Sequence, residues 1–430
     1  MKGRIDLAMI KLLKSLTTAP EGCSHSDWVN LQVFAAALFL PVLIMYVGVL
    51  MHGGGQMMNT LIYMVALAVF GYVGLRELNS ADVLVLLCIY AFFVLNFLID
   101  PSLSEYYVDP KMIVIYLLYI PVGVCVVRKI KDWDYFFDVC RIYCLFALFV
   151  ALTTVFVYDS AVLMNYEFFS YMPYSYFILP YILCSYVLAR RKRSLLWLAV
   201  SLTLFASVLS YGARNAVMMA PLFVCAYELF TGSVTKRLVI LLVILVLGVA
   251  LYFFLDKIMY SLSLIPFLEN SRLITKFLSK AVTSGGERDL FINEGIRRLL
   301  HMEMEIPGLF GDRKYISGPY PHNIMLEIML QFGWILGIVF NALLFYLVCY
   351  SVFLSRNKVM GLFLFFGIFG KLFVSDTYVM YGNFWLWMFA SISLCNSSFA
   401  KTVRYNPRMA GLTGFFTPSE RSNENSALSD

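Results

Sequence analysis

A few side chains in this chain combine useful chemistry with a costly location. His322 stands in "GPYPHNIMLEIMLQFGWILG", residues 318–337, where a polar stretch meets an apolar one, and it is one of only four histidines. A neutral imidazole near pH 7 can accept the proton of an attacking hydroxyl or orient that hydroxyl. Pro321 and Asn323 mark a loop-to-helix transition, and Glu327 follows about one turn later, a spacing at which a carboxylate could orient the imidazole. The plainer reading makes His322 an interfacial polar residue. Arg288 lies in "TSGGERDLFINEGIRRLLHMEMEIPG", which reads as a helix capped by Ser284 and Glu287 and stopped by Pro307–Gly308. A cation in a first helical turn opposes the helix dipole, and a bound anion would satisfy both the guanidinium and the free backbone N–H groups. Pairing with Glu287, Asp289 or solvent competes with that. Leu290, Phe291, Ile296, Leu299 and Leu300 form the expected apolar stripe, while Arg297 and Arg298, about two and a half turns beyond Arg288, read as solvated or headgroup-facing. Arg214 falls in "SVLSYGARNAVMMAPL", residues 207–222, at a tight connection between two apolar runs. A charge at membrane depth is a functional candidate by default, with snorkelling to lipid phosphate as the alternative.

The elements that must position these residues are membrane helices. Of the 430 residues 61% are hydrophobic and 14% charged, against the roughly 25% charged of a soluble domain. About twelve apolar runs are each long enough for a bilayer core of roughly 30 Å. They lie near 28–51, 57–75, 81–99, 110–127, 139–157, 168–189, 194–212, 215–231, 237–255, 324–354, 359–375 and 378–397. One set of loops carries Arg76, Arg128, Lys129, Lys131, Arg190–Arg193, Lys236, Arg237, Arg356, Lys358 and the basic termini; the other holds little beyond Lys111, Arg214 and Lys371. That asymmetry, about twenty against three, places both termini in the cytoplasm. The expected fold is all-α and polytopic, with one large extracytoplasmic loop containing amphipathic helices. It divides into an amphipathic N-terminus (1–27), a nine-helix region (28–255), the loop (256–323), a three-helix region (324–397) and a disordered cytoplasmic tail (398–430). The loop mixes apolar residues with balanced charge and is expected to fold onto the membrane face.

Several features take plain readings. The nine cysteines sit mostly in apolar runs, and Cys140 with Cys144 packs as a small hydrophobe, without partners at metal spacing. Asp132 and Asp134 in "KDWDYFFD" form an Asp-x-Asp pattern inside a basic loop, where a solvated charge run explains them better than a metal site. "YEFFSYMPYSYF", residues 166–177, suits an interfacial aromatic belt or stacking on sugar rings.

In "GGERDLFINEGIRRL", "IPGLFGD", "PHNIMLEIMLQFGWILG" and the turn "SYGARNAVM", the chain resembles the O-antigen polymerase and ligase superfamily of membrane glycosyltransferases. The resemblance covers the C-terminal half in motifs and the whole chain in topology. Tyr211, Gly212 and Ala213 between Ser210 and Arg214 depart from the family's pattern. It implies a bacterial inner-membrane enzyme without cofactor or metal. Its donor would be an undecaprenyl-pyrophosphate-linked oligosaccharide used at the outer face, with a chain-length regulator as a plausible partner and no role for nucleic acid. Arg214 and Arg288 would stabilise the leaving pyrophosphate and His322 would serve the acceptor hydroxyl, with Asn323, Glu327, Arg297 and Arg298 as substrate contacts. A repeat-unit polymerase is the leading expectation. A ligase transferring finished polymer to lipid A-core shares the same residues, and a twelve-helix transporter or flippase is the alternative of another class. Against transport, no internal halves are visible and the one large loop is not central.

Overall fold

The structure is a computed structural model and describes residues 18–51, 56–157, 171–211, 213–265, 274, 287–301, 308–316 and 320–405. Among these residues there is no strand. The main helices are α1 (His25–Leu50), α2 (Gln56–Glu77), α3 (Ser80–Ile99), the composite α4 (Pro110–Lys129), α5 (Phe136–Val157), α6 (Tyr171–Lys192), α7 (Leu195–Tyr211), α8 (Arg214–Thr231), α9 (Val234–Ser263), α10 (Glu287–Leu300), α11 (Ile324–Cys349), α12 (Lys358–Leu364) and α13 (Gly382–Tyr405). Among the described residues, seven helices are long and apolar enough to cross a membrane. The apolar runs fold this way because their backbone hydrogen bonds must close within the segment wherever water is absent.

The most enclosed of the seven, α6, sits centrally, whereas α2 and α3 turn Leu61, Met64, Leu84 and Leu98 outward. First and last helices are tied together through Trp133, whose ring meets Phe34 edge-on at 5.4 Å and whose Nε1 donates to Ser393 at 3.1 Å. Sequence-distant basic residues gather at one end of the bundle. There Arg128 and Lys129 reach the wholly buried Asp82 at 2.5 and 2.6 Å, Lys131 N–H donates to Asp27, Arg191 donates to the Asp134 carbonyl, and Arg190 and Lys236 share Glu228. Asp132 and Asp134 take structural duties at this end. Asp132 accepts from Asp134 N–H to cap a short turn, and Asp134 accepts from Asn357 at 2.9 Å.

The run at 324–354 is not one straight helix. Gly333, at φ 73° and ψ −174°, breaks α11 into a short arm (324–332) and a long arm (334–349). The arms fold against each other. Asn341 Nδ2 donates to the Met325 carbonyl at 3.0 Å, a separation of sixteen residues that would span about 24 Å in a continuous helix. Gly333 supplies a backbone conformation nearly closed to other residues. A Cβ at Gly337 would lie 2.8 Å from Met329 Sδ and 2.9 Å from Met329 Cα, so this second glycine permits the close approach of the arms.

Parts of the expected outer loop also differ from expectation. The helix there ends at Leu300, short of the expected stop at Pro307–Gly308; Ser284 and Pro307 lie outside the described residues. Its packed face is Gly295 and Leu299, while Leu290, Ile296 and Leu300 are exposed, so the expected stripe is partly outward. The segment 308–316 threads into the bundle. Leu309 N–H donates to Asn96, the Leu309 carbonyl accepts from Tyr107, and the Phe310 ring stacks on Tyr106 at 5.5 Å. Lys314 pairs with Asp100 and holds that carboxyl below its ordinary range, together with Ser102, against the opposing effect of burial. The tail expected to be disordered from 398 begins inside α13, which stays helical to Tyr405; residues 406–430 and 1–17 lie outside the described residues.

Candidate functional site

The short arm of α11 starts at the site and carries it. Asn323 caps the arm, its Oδ1 accepting from Met325 N–H at 3.0 Å and Leu326 N–H at 3.1 Å. Its side chain is therefore a structural cap, a role the loop-to-helix transition already suggested. His322, just before the cap, adopts φ 55°, a left-handed conformation in which histidine is enriched among non-glycine residues. Its ring is held between two aromatics, Phe291 stacked at 6.2 Å and Tyr320 tilted at 4.3 Å.

Residue counting sets the depth of this ring. Gly333 lies about 31 Å along the helix from Leu354 at the basic end, and Asn341 about 20 Å. Met325 sits beside Asn341, so the start of the short arm, with His322, lies about 12 Å below the Gly333 tip. The ring is half-buried there. The parallel course of α10 beside the short arm explains the contact with Phe291. Gly295 packs on Leu326 and Leu330, and Trp334 Nε1 donates to the Leu299 carbonyl at 3.1 Å. The backbone of Arg288 is one turn below Phe291, on the His322 side, while Arg297 and Arg298 are carried towards the tip. The Arg288 side chain lies outside the described residues. Arg297 is exposed and Arg298 half-buried.

Glu327 is wholly buried. Its carboxylate accepts from Thr377 Oγ1 and from Gln331 Nε2 at 3.4 Å, and lies 3.8 Å from Arg313 Nη2. These contacts answer the expectation that it orients His322: it is committed to a different network. Asp312, also wholly buried, accepts from Gln331 Nε2 at 2.8 Å and faces Arg313 Nη1 at 3.2 Å. Gln331 Oε1 in turn accepts from Tyr378 at 2.6 Å. Burial pushes the Asp312 carboxyl above its ordinary range, and the neighbouring Arg313 only partly offsets this. Two buried carboxylates thus share one buried guanidinium. Such a cluster is costly to break because the surviving charges are left without water. The Arg313 guanidinium also lies over the rings of Tyr106 (5.8 Å) and Tyr320 (5.4 Å), which links this cluster to His322 through Tyr320.

A second cation stands at the same level. Lys371 is about 20 Å along the chain's helical path from Lys358 at the basic end. Its Nζ is 2.5 Å from Asp376 and faces the rings of Tyr381, Tyr176 and Phe177. Tyr320 feels the charges of Asp376 and Lys371 as well as that of Arg313, so one tyrosine borders both clusters; burial raises its pKa. Arg214, half-buried, opens α8, whose Met219 packs on Gly370 beside Lys371. The connection expected around Tyr211 is anchored there by Tyr211 Oη donating to the Thr154 carbonyl at 3.1 Å.

Family models, curated proteins and solved structures yield no match to this chain. The site therefore rests on its own geometry.

That geometry joins His322 with Tyr320, Arg313, Lys371 and Asp376, none of the last four being among the residues expected from the sequence. Lys371 carried a usable signal, a single lysine inside the apolar run "FGIFGKLFV". Arg313 carried none, because "GDRK" reads as a solvated charge run. Beside His322, a cavity of about 600 Å³ opens between α10 and the two arms, lined by Ile292, Leu326, Met329, Ile338 and Phe345 with Asn323 and Asn341 as its polar members.

Proposed function

We propose that this chain is a membrane glycosyltransferase, a polysaccharide repeat-unit polymerase of the twelve-span type, working at the outer face of the bacterial inner membrane. The basic end of the bundle is assigned to the cytoplasm by the positive-inside bias, which puts His322 in the outer half. The observation that carries the reading is His322 held by Phe291 and Tyr320, with the buried Arg313 on the Tyr320 ring and, at the adjacent Asn323, an apolar cavity suited to a lipid-linked substrate. The motif resemblance supplies the substrate class: an undecaprenyl-pyrophosphate-linked oligosaccharide as donor and a glycan hydroxyl as acceptor.

The chemistry is a single displacement. The acceptor oxygen attacks the anomeric carbon, the bond from that carbon to the phosphate oxygen breaks, and the acceptor's proton passes to the imidazole of His322. The departing lipid pyrophosphate keeps the electron pair, and Arg214 and Arg288 neutralise its charge. Inversion at the anomeric carbon follows from one displacement.

A second reading draws support from α11 itself, because helices broken within the bundle and buried ion pairs also mark transporters. Purified protein incubated with lipid-pyrophosphate-linked repeat units separates the possibilities. A ladder of products from wild type and none from His322→Ala supports the polymerase. Transfer only when lipid A-core is supplied would make it a ligase. Movement of the lipid-linked saccharide across a vesicle without any elongation would make it a transporter.

A further inference from the structure

Lys371 has the features of a binding group held in waiting. Its side chain is 7% exposed, while that of Asp376, its hydrogen-bond acceptor among the described residues, is 31% exposed. The lysine is thus the buried member of the pair and the carboxylate the more exposed one. Behind and around the ammonium stand Tyr381 at 4.3 Å, Tyr176 at 5.1 Å and Phe177 at 5.7 Å, rings that attract a cation without neutralising it. An ammonium has three donors, and a single carboxylate oxygen at 2.5 Å occupies one of them. Asp376 holds its position through a left-handed backbone (φ 71°) that lets its Oδ1 accept from Thr377 N–H at 3.1 Å. The carboxylate is thus aimed by a turn and not by packing. It occupies the position at Nζ that a phosphate oxygen would take.

We infer that Lys371 is a binding residue for the phosphate headgroup of a lipid-linked substrate, with Asp376 as an internal stand-in that the headgroup displaces. The inference rests on the function proposed above and adds a residue and a mechanism of occupancy to it. When the anion arrives, Lys371 exchanges one oxygen partner for another and Asp376 swings toward water, where its charge is solvated. A charge-assisted contact of this kind to a doubly charged phosphate exceeds one to a carboxylate. Because Tyr320 borders both Asp376 and His322, displacement of Asp376 is felt beside the imidazole.

The test measures binding by full-length protein in nanodiscs, using undecaprenyl pyrophosphate, undecaprenol and inorganic pyrophosphate as probes. Wild type should bind the lipid pyrophosphate more tightly than either of the others. Lys371→Gln should weaken lipid pyrophosphate binding by about tenfold or more while leaving undecaprenol unchanged. Asp376→Asn should tighten it by about threefold, because the empty site no longer has to expel a resident charge. A merely structural ion pair predicts the opposite, with both variants losing binding and thermal stability together. That result, or an unchanged affinity in Lys371→Gln, overturns the inference while leaving the glycosyltransferase reading in place. Equal binding of inorganic pyrophosphate and its lipid form by wild type overturns the lipid headgroup assignment. Failure of wild type to prefer the pyrophosphate over the alcohol overturns the underlying reading as well. If Lys371→Gln does not fold, the sign of the Asp376→Asn effect decides alone.

Discussion

The two ends of the bundle use ion pairs in opposite ways. At the basic end, Arg190, Lys192 and Lys236 are a third to a half exposed and stitch α5, α6, α8 and α9 together through Asp138 and Glu228, while the less exposed Arg128 and Lys129 hold the buried Asp82. At the other end Lys314, on Asp100, is about a third exposed, but Arg313 and Lys371 are sunk, at 4% and 7% exposure. The first pattern is that of surface pairs, each contributing about 0–1 kcal/mol. The second gathers charges where their desolvation is costly, and such an arrangement persists only where good geometry or function sustains it. The same residue types therefore orient and fasten at one end and concentrate field at the other.

Substitutions can break this contrast in order of decreasing effect. His322→Ala should abolish elongation, while Arg190→Ala at the basic end should leave product length unchanged; a gel of lipid-linked products reads both. Arg313→Met should remove about 3–5 kcal/mol of stability in denaturant titration by stranding Asp312 and Glu327. Adding Asp312→Asn and Glu327→Gln to it should restore part of that loss. Arg190→Ala in the same assay should cost at most about 1 kcal/mol. Gly333→Ala should cost about 1–3 kcal/mol, because alanine resists the conformation at the tip, and should lower activity together with stability. The smallest effect is in pH dependence. Asp312 keeps its proton to higher pH in the fold than in the unfolded chain, so its contribution is full below the ordinary carboxylate range and falls as pH rises through its raised value. Thermal midpoints across that interval should therefore slope less in Asp312→Asn than in wild type.

How much of this was legible in the sequence depends on the range of the interaction concerned. Each apolar run has a helical counterpart, since length and hydropathy are local properties. The Asn323 cap was legible for the same reason. The fold-back of α11 was not: "IMLQFGWILG" is apolar throughout, and Gly333 and Gly337 look like motif residues in a continuous span until their backbone angles are known. Glu327 looked like a partner for His322 because both are near in sequence, yet its hydroxyl donor, Thr377, is fifty residues away. Arg313 is hidden among charged neighbours, whereas Lys371 stood out, and the charge-asymmetry argument uses it only as an exception. Its burial cost was the better guide.

The fold-back also makes the short arm a ruler. Since Asn341 clamps Met325 and the arm is rooted at Gly333, the vertical position of His322 is set by how many residues the arm contains. One residue inserted between Leu326 and Gly333 would displace His322 by about 1.5 Å and rotate it by about 100° about the arm, away from Tyr320 and Lys371. Substitution tolerance along the arm's outer side and intolerance to any change in its length are two separate properties, and only the second measures how far from the tip the imidazole is held.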